Sequence, residues 1–431
     1  MKKLDISEAI ASIPMLDDIS NGDYIVAISG GKAGRIKANR TLVGDAKDLS
    51  LHDVYGNSMG SRETANCYVI SKAGKYRFPI IYGNAIKGDQ VNEDAFKTYL
   101  NYQGSEISSP YIEEDTQCRA ECAELVWQDE DSLITNIEIA DAFDGRYVQF
   151  RVDDIPDVNG NAIIAIKDSS GVIMWSWHIW VTSDNLAPIS ITNSTPKTYE
   201  LMPLNLGWKW DDSSKQRGKN VFYQFGRKDP FPCPAKYNSS AEIVIYGKHA
   251  FIKENAETMN TTIADAIKRP YSFFFGTEAI SYKWEPSGRL DLWCAKNKST
   301  DVSDKVIVKT IYDPCPAGWS VPNARVFTGF TSTGSNTSNK DEFNVVGSFA
   351  AGWAFKKNSS DAVGTFFPAS GYRSRDSGGL ANVGGSGACW SAIPDSSAGG
   401  RYLGFFSGLV GPQHAGNRAY GFSVRPAREL N

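Results

Sequence analysis

The sequence predicts a mostly β protein with minor α, and three observations carry that prediction. The 431 residues include 11 Trp, 19 Tyr, 21 Phe and 39 Gly, the residue types that pack on sheets and turn the chain between strands. Apolar residues recur in short runs with a period of two, the period of a strand with one face buried. Gly, Asn, Asp and Ser punctuate these runs at turn positions. A chain of this length holds about two or three domains, and we divide it into residues 1–45, 46–190 and 199–431. With 41% hydrophobic and 22% charged residues the composition is that of a globular protein. A formal net charge of -4 lacks the basic footprint that nucleic acid demands. No run of about eighteen apolar residues occurs, so no membrane span is expected.

In the first unit, ISEAIASIP places Ile6, Ile10 and Ile13 at helical spacing. DYIVAI and GRIKA then read as two strands joined by SGGK, a hairpin with glycines at its turn. SGGKAGR does not meet the spacing of a phosphate-binding loop. The string IPMLDDISNGDYIVAISGGKAGRIKANRTLV resembles the opening segment of many phage tail and head fibre proteins. That resemblance implies a module that docks the chain to capsid or tail proteins through residues 1–45. Asp5, Glu8, Asp17 and Asp18 break any signal-peptide core, so no export signal is expected.

The second unit reads as a β-sandwich. ANCYVISKAGKYRFPIIYGN gives a strand, a glycine turn and a second strand, an opening similar to that of many Bacteroidota surface proteins. YVQFRVDDI and AIIAIKDSSG follow as further strands. In VIMWSWHIWVT, Trp175, Trp177 and Ile179 alternate with Ser176, His178 and Trp180. Such strands must bury one face against another sheet. One short helix is expected around Glu93 to Leu100. DVNGNAIIAIKD offers Asp157, Asn159, Asn161 and Asp168 at calcium-loop spacing, but Ala162 stands where that loop needs Gly. A hairpin turned at Asn159-Gly160 accounts better for it.

A Pro-, Thr- and Ser-rich stretch near Leu186 to Glu200 marks the boundary of the third unit. Four strings then occur in order: LMPLNLGW, VFYQFGRKDPFPC, IYDPCPAGWSVPNA, and the stretch from FPASGYR to GFSVRPARE. Together they resemble the Fibrobacter succinogenes major paralogous domain, a C-type-lectin-like fold, over roughly the whole unit. The chain departs from the usual form at MPLNLG, where the family carries an Arg. The resemblance implies recognition rather than catalysis.

Relatives of the closing stretch include proteins diversified by retroelements, in which one face of the lectin-like scaffold carries varied side chains. By position, the resemblance assigns that face to Arg375, Asp376, Ser386, Cys389, Ile393, Arg401, Phe406, Leu409, Gln413, His414 and Tyr420. The residues support part of it independently. If Leu403 and Phe405 enter the core, period two turns Phe406 outward. An outward Phe beside Leu409, Gln413 and His414 is a contact surface for a receptor or for another subunit. Trp390, Ser391, Arg418 and Arg425 read as scaffold, the arginines holding turn carbonyls.

Catalysis finds little support. His52, His178, His249 and His414 fall in no triad order. The lectin-like fold is shared with formylglycine-generating enzymes, but no cysteine pair of the third unit has convincing spacing. Asp211 and Asp212 could serve a glycosidase, although adjacent loop carboxylates more often face solvent. Cys118 and Cys122 could share a helical face, but two ligands make no zinc site. The seven cysteines are expected to be mostly buried thiols. No cofactor and no metal are expected.

The expectation is therefore a virion fibre or appendage, head or tail, of a Bacteroidota-infecting phage, made in the host cytoplasm. It would bind a host-surface glycan or protein. Avidity favours a homo-oligomer, a trimer before a dimer. A cellular Bacteroidota adhesin and a glycan-degrading enzyme are the alternatives.

Overall fold

The computed structural model describes residues 46–153, 159–211, 217–297, 299–300, 304 and 306–430, and the backbone of 24–29 and 32–37. The architecture is mostly β, with four short α-helices among the described residues. In the first unit, Tyr24–Ser29 and Lys32–Lys37 pair antiparallel, from Tyr24 opposite Lys37 to Ser29 opposite Lys32. The expected helix over Ile6 to Ile13 lies outside the described residues.

Two four-stranded sheets, built from strands between Lys47 and Val181, form a sandwich. In the outer sheet the order is Lys47–Asp48, Gly74–Pro79, Gly145–Val152, Thr135–Ala142. In the central sheet it is Cys67–Ile70, Ile173–Val181, Gly160–Lys167, Cys122–Gln128. The expected hairpin at Asn159-Gly160 is not formed. Both edges of Gly145–Val152 are taken by outer-sheet partners, so the chain crosses to the central sheet to begin Gly160–Lys167. The described residues of the calcium spacing are engaged otherwise, Asn159 accepting from the Trp210 amide. Asn161 is buried with its side chain bonded to Asp129 and Gly207, and Asp168 accepts from Tyr102 and from the Ser170 and Val172 amides. Asp157 lies outside the described residues. The helix expected around Glu93 to Leu100 spans Glu93–Phe96, and a second runs over Ile112–Thr116.

All nine residues of Ile173–Val181 are buried. The alternation is real, but neither face meets solvent. One face carries Trp177 against Phe78 of the outer sheet, with ring centroids 4.9 Å apart. On the other face Ser176 bonds to Asp229, the Tyr223 hydroxyl bonds to His178, and Trp180 donates to the Trp208 carbonyl at 2.9 Å. Those partners belong to the third unit. One hydrophobic cluster therefore runs from Leu49 to Val424, across the boundary that the Pro/Thr/Ser-rich stretch marks.

The four ordered strings of the third unit meet in space. Arg425 is fully buried; its Nε donates to Asn205 at 2.7 Å, and its Nη atoms reach the carbonyls of Met202, Pro203 and Phe366. One guanidinium thus joins VRPARE to LMPLNLGW and to FPASGYR, as expected of an arginine that holds turn carbonyls. Arg373 likewise donates to Pro232 and Gly378 and pairs with Glu242. Asp313 accepts from the Cys315 and Val321 amides inside IYDPCPAGWSV. Its carbonyl accepts from Asn66 of the sandwich at 2.8 Å. Gly207 shows why LMPLNLGW needs its glycine. Its φ is +70°, and a Cβ there would lie 2.5 Å from Val221 and 2.7 Å from Asn161.

A polar chain threads the seam between the units. Lys209 donates to the Asp129 carbonyl at 2.7 Å, the Asp129 carboxylate accepts from the Asn161 side chain, and His178 Nε2 lies 2.9 Å from Asn161 Oδ1. Both Asn161 amide hydrogens are used, so its Oδ1 is an acceptor and His178 must donate from Nε2. His178 Nδ1 then accepts from Tyr223. Burial holds this imidazole neutral, lowering its pKa from 6.5 to about 3. A histidine whose folded pKa is depressed contributes stability above its unfolded pKa, and that contribution is lost as pH falls toward the folded value. Unfolding free energy should therefore drop by up to about 1.4 kcal/mol per pH unit between pH 6.5 and 4.5 in excess of the drop in His178→Gln. Urea melts of both proteins across that range check it.

Candidate functional site

The site grows from one three-stranded antiparallel sheet, Ser386–Pro394, Gly399–Phe406 and Leu409–Asn417. Alternation along Gly399–Phe406 sends Leu403 and Phe405 into a core with Phe330, Phe355 and Phe367. Phe405 and Phe355 meet edge-on at 5.4 Å. The opposite face is covered at one end only. There Trp390 packs on Phe225 and Phe422, at 5.4 and 4.4 Å between centroids. Beyond Trp390 this face opens as a groove of about 380 Å³ whose floor includes Ala388, Gly404 and Phe406.

Glycines make that floor flat. A Cβ at Gly411 would lie 1.9 Å from the His414 ring, and one at Gly404 would lie 2.7 Å from Tyr402. Both rings therefore lie against backbone, stacked with centroids 5.6 Å apart. Tyr372 and Tyr420 form a wall, edge-to-face at 5.5 Å, and Tyr420 stacks on Phe422 at 5.0 Å. Phe406 stands at the far end, 45% exposed, while Leu403 and Phe405 are buried.

Polar groups sit among these rings. Asn382 donates to the Tyr372 hydroxyl at 3.2 Å, and Asn417 holds the Ser281 carbonyl at 3.1 Å. Ser281, Tyr282 and Asn382 adopt positive φ of 55°, 52° and 53° without being glycine. Burial raises the Tyr402 hydroxyl to about 12 and lowers the His414 pKa. The phenol is thus an intact donor and the imidazole neutral at neutral pH. The side chains of Tyr402, Tyr420 and His414 make no hydrogen bond among the described residues.

Of the face assigned from sequence, Arg375, Ser386, Phe406, Leu409, His414 and Tyr420 come together in the groove. The other five do not. Cys389 pairs with Leu403 across the sheet and so shares its core face, 2% exposed. Ile393 is 3% exposed, in the irregular stretch between Trp390 and Pro394. A bulge explains Gln413: the register steps from Gly404 opposite Gly411 to Tyr402 opposite His414, leaving one extra residue on the outer strand. Arg401 pairs with Asp395 at 2.9 Å and reaches the Gln413 carbonyl, off the groove. Asp376 is exposed and bonds to Ser374. Sequence reasoning missed Tyr372, Asn382, Tyr402 and Asn417. Period two would have found Tyr402, which shares parity with Phe406. Tyr372 and Asn382 arrive from another sheet and leave no local signal.

Ser176, Lys228 and Asp229 resemble an acid–base set, with Lys228 Nζ 2.6 Å from Asp229, but those two side chains are 2% and 4% exposed. Asp211, expected to face solvent, is largely buried and pairs with Lys219 at 2.7 Å; Asp212 lies outside the described residues. Cys122 begins a strand rather than a helix, so Cys118 and Cys122 share no helical face. Five of the seven cysteines are buried thiols.

No protein-family model, curated protein or solved structure matches the chain.

Phe405→Ala should destabilise the protein by roughly 3–5 kcal/mol, the usual cost of truncating a buried Phe. Phe406→Ala should leave the melting temperature nearly unchanged. Thermal melts of the two variants decide whether the alternation sets the groove as described.

Proposed function

We propose that this chain is a structural appendage of a Bacteroidota-infecting phage virion, a head or tail fibre. Its C-terminal lectin-like unit binds a glycan or protein on the host surface, and residues 1–45 dock it to the virion. The observation that carries the binding reading is the half-uncovered face of the C-terminal sheet. Most of that sheet is packed, yet one end leaves aromatic rings, unbonded hydroxyls and amides open to solvent. Exposed aromatics with polar neighbours are what recognition surfaces supply. The strands at Tyr24–Ser29 and Lys32–Lys37 agree with the hairpin of the fibre-like opening string. Repeated copies would raise avidity without new contacts, which favours a homo-oligomer, a trimer before a dimer.

Deletion of residues 1–45 should leave residues 46–430 folded but absent from purified virions, as immunoblotting reads. Phe406→Ala should weaken attachment to host cells at least about tenfold, since a truncated hot-spot aromatic costs on the order of 2 kcal/mol. A protein absent from virions but present on the bacterial surface would instead favour the cellular adhesin.

A further inference from the structure

We propose that the C-terminal groove takes an acidic saccharide, with sugar rings on its aromatic floor and the anionic group on Arg375. The proposal rests on the recognition reading above and names its ligand class.

Among the described residues, Arg375 is the only charged side chain lining the groove, and no carboxylate lines it. Within 4.0 Å, no Asp or Glu pairs with its guanidinium among the described residues, whereas Arg373, Arg401, Arg418 and Arg428 each have a carboxylate. Arg217, Arg227 and Arg425 also lack one, but Arg217 bonds to the Tyr237 hydroxyl away from the groove, and Arg227 and Arg425 are buried and donate to backbone carbonyls. Arg375 is different: it is half-buried, and one side-chain bond, to Asn417, leaves most of its donors unused. Asp376 beside it is turned to Ser374.

The guanidinium is nonetheless fixed. It lies 4.0 Å from the Tyr282 ring centroid and 5.3 Å from that of Tyr420. Stacking on aromatic faces orients a guanidinium without a close ion pair. Tyr282 is itself held by backbone bonds from its own amide to Thr277 and from Ala419 to its carbonyl. A preorganised cation with free donors, in a groove whose described lining holds no carboxylate and whose nearby Asp376 is bonded to Ser374, fits a carboxylate or a sulfate ester. The aromatic floor and the unbonded Tyr402 and Tyr420 hydroxyls fit the apolar face and hydroxyls of a sugar ring.

The test measures binding of the full chain by calorimetry to sialyllactose and sulfated lactose against lactose, and to trigalacturonate against its carboxyl-reduced form. At least one acidic member should bind at least about tenfold more tightly than its neutral counterpart, the contribution of one charge-assisted contact. Which one binds separates carboxylate from sulfate. Arg375→Gln should abolish the difference while leaving the melting temperature unchanged. Equal binding of acidic and neutral members, or an acid preference that survives Arg375→Gln, overturns the proposal. Binding of none of these sugars, alongside Phe406-dependent attachment to host cells, overturns it too while the recognition reading stands. No attachment to host cells by the full chain removes the recognition reading itself.

Discussion

The strand Ile173–Val181 is the element on which the rest depends, because it is buried on both faces. Period-two alternation gives it two different surfaces: Trp177 for the outer sheet, and Ser176, His178 and Trp180 for the C-terminal unit. A strand that faces water on one side lets its sheet end a domain. This one does not, so the sandwich and the C-terminal unit share a common core. The cost is polar: Ser176 and His178 lie in the interior and must be bonded there. Asp229 and Lys228 meet that demand for Ser176, and the Lys209–Asp129–Asn161–His178–Tyr223 chain meets it for His178 and fixes a single tautomer.

That shared core also bears on recognition. A binding surface works when its side chains are held by the scaffold rather than ordered by the ligand. The groove floor is the reverse side of a sheet whose other face carries Leu403, Phe405 and Val410 into an aromatic core. Glycines at Gly404 and Gly411 let Tyr402 and His414 lie flat, and buried Arg425 ties the neighbouring loops to each other. The Gly-rich composition of the last stretch is thus a packing requirement as much as a loop signal.

The mostly β architecture was legible because glycine placement and period-two runs are local properties. So was the orientation of Phe406, since parity along one strand settles it. What escaped depends on partners distant in sequence. Nothing in VIMWSWHIWVT says that its second face meets Tyr223 and Trp208 rather than water. Nothing near Asn159 says that both edges of the preceding strand are already occupied. Within the site, Gln413 was misplaced by a one-residue bulge and Cys389 by its register opposite Leu403, features that only the pairing reveals. Tyr372 and Asn382 reach the groove from a different sheet, beyond any local pattern.

Hydrogen exchange of the full chain, with and without outer-membrane vesicles from an adsorbing Bacteroidota host, tests the recognition claim most directly. The account predicts slowed exchange confined to peptides covering residues 372–382 and 400–420, with the sandwich unchanged. Slowed exchange along the outer sheet edge at Thr135–Ala142, with none around the groove, would contradict it.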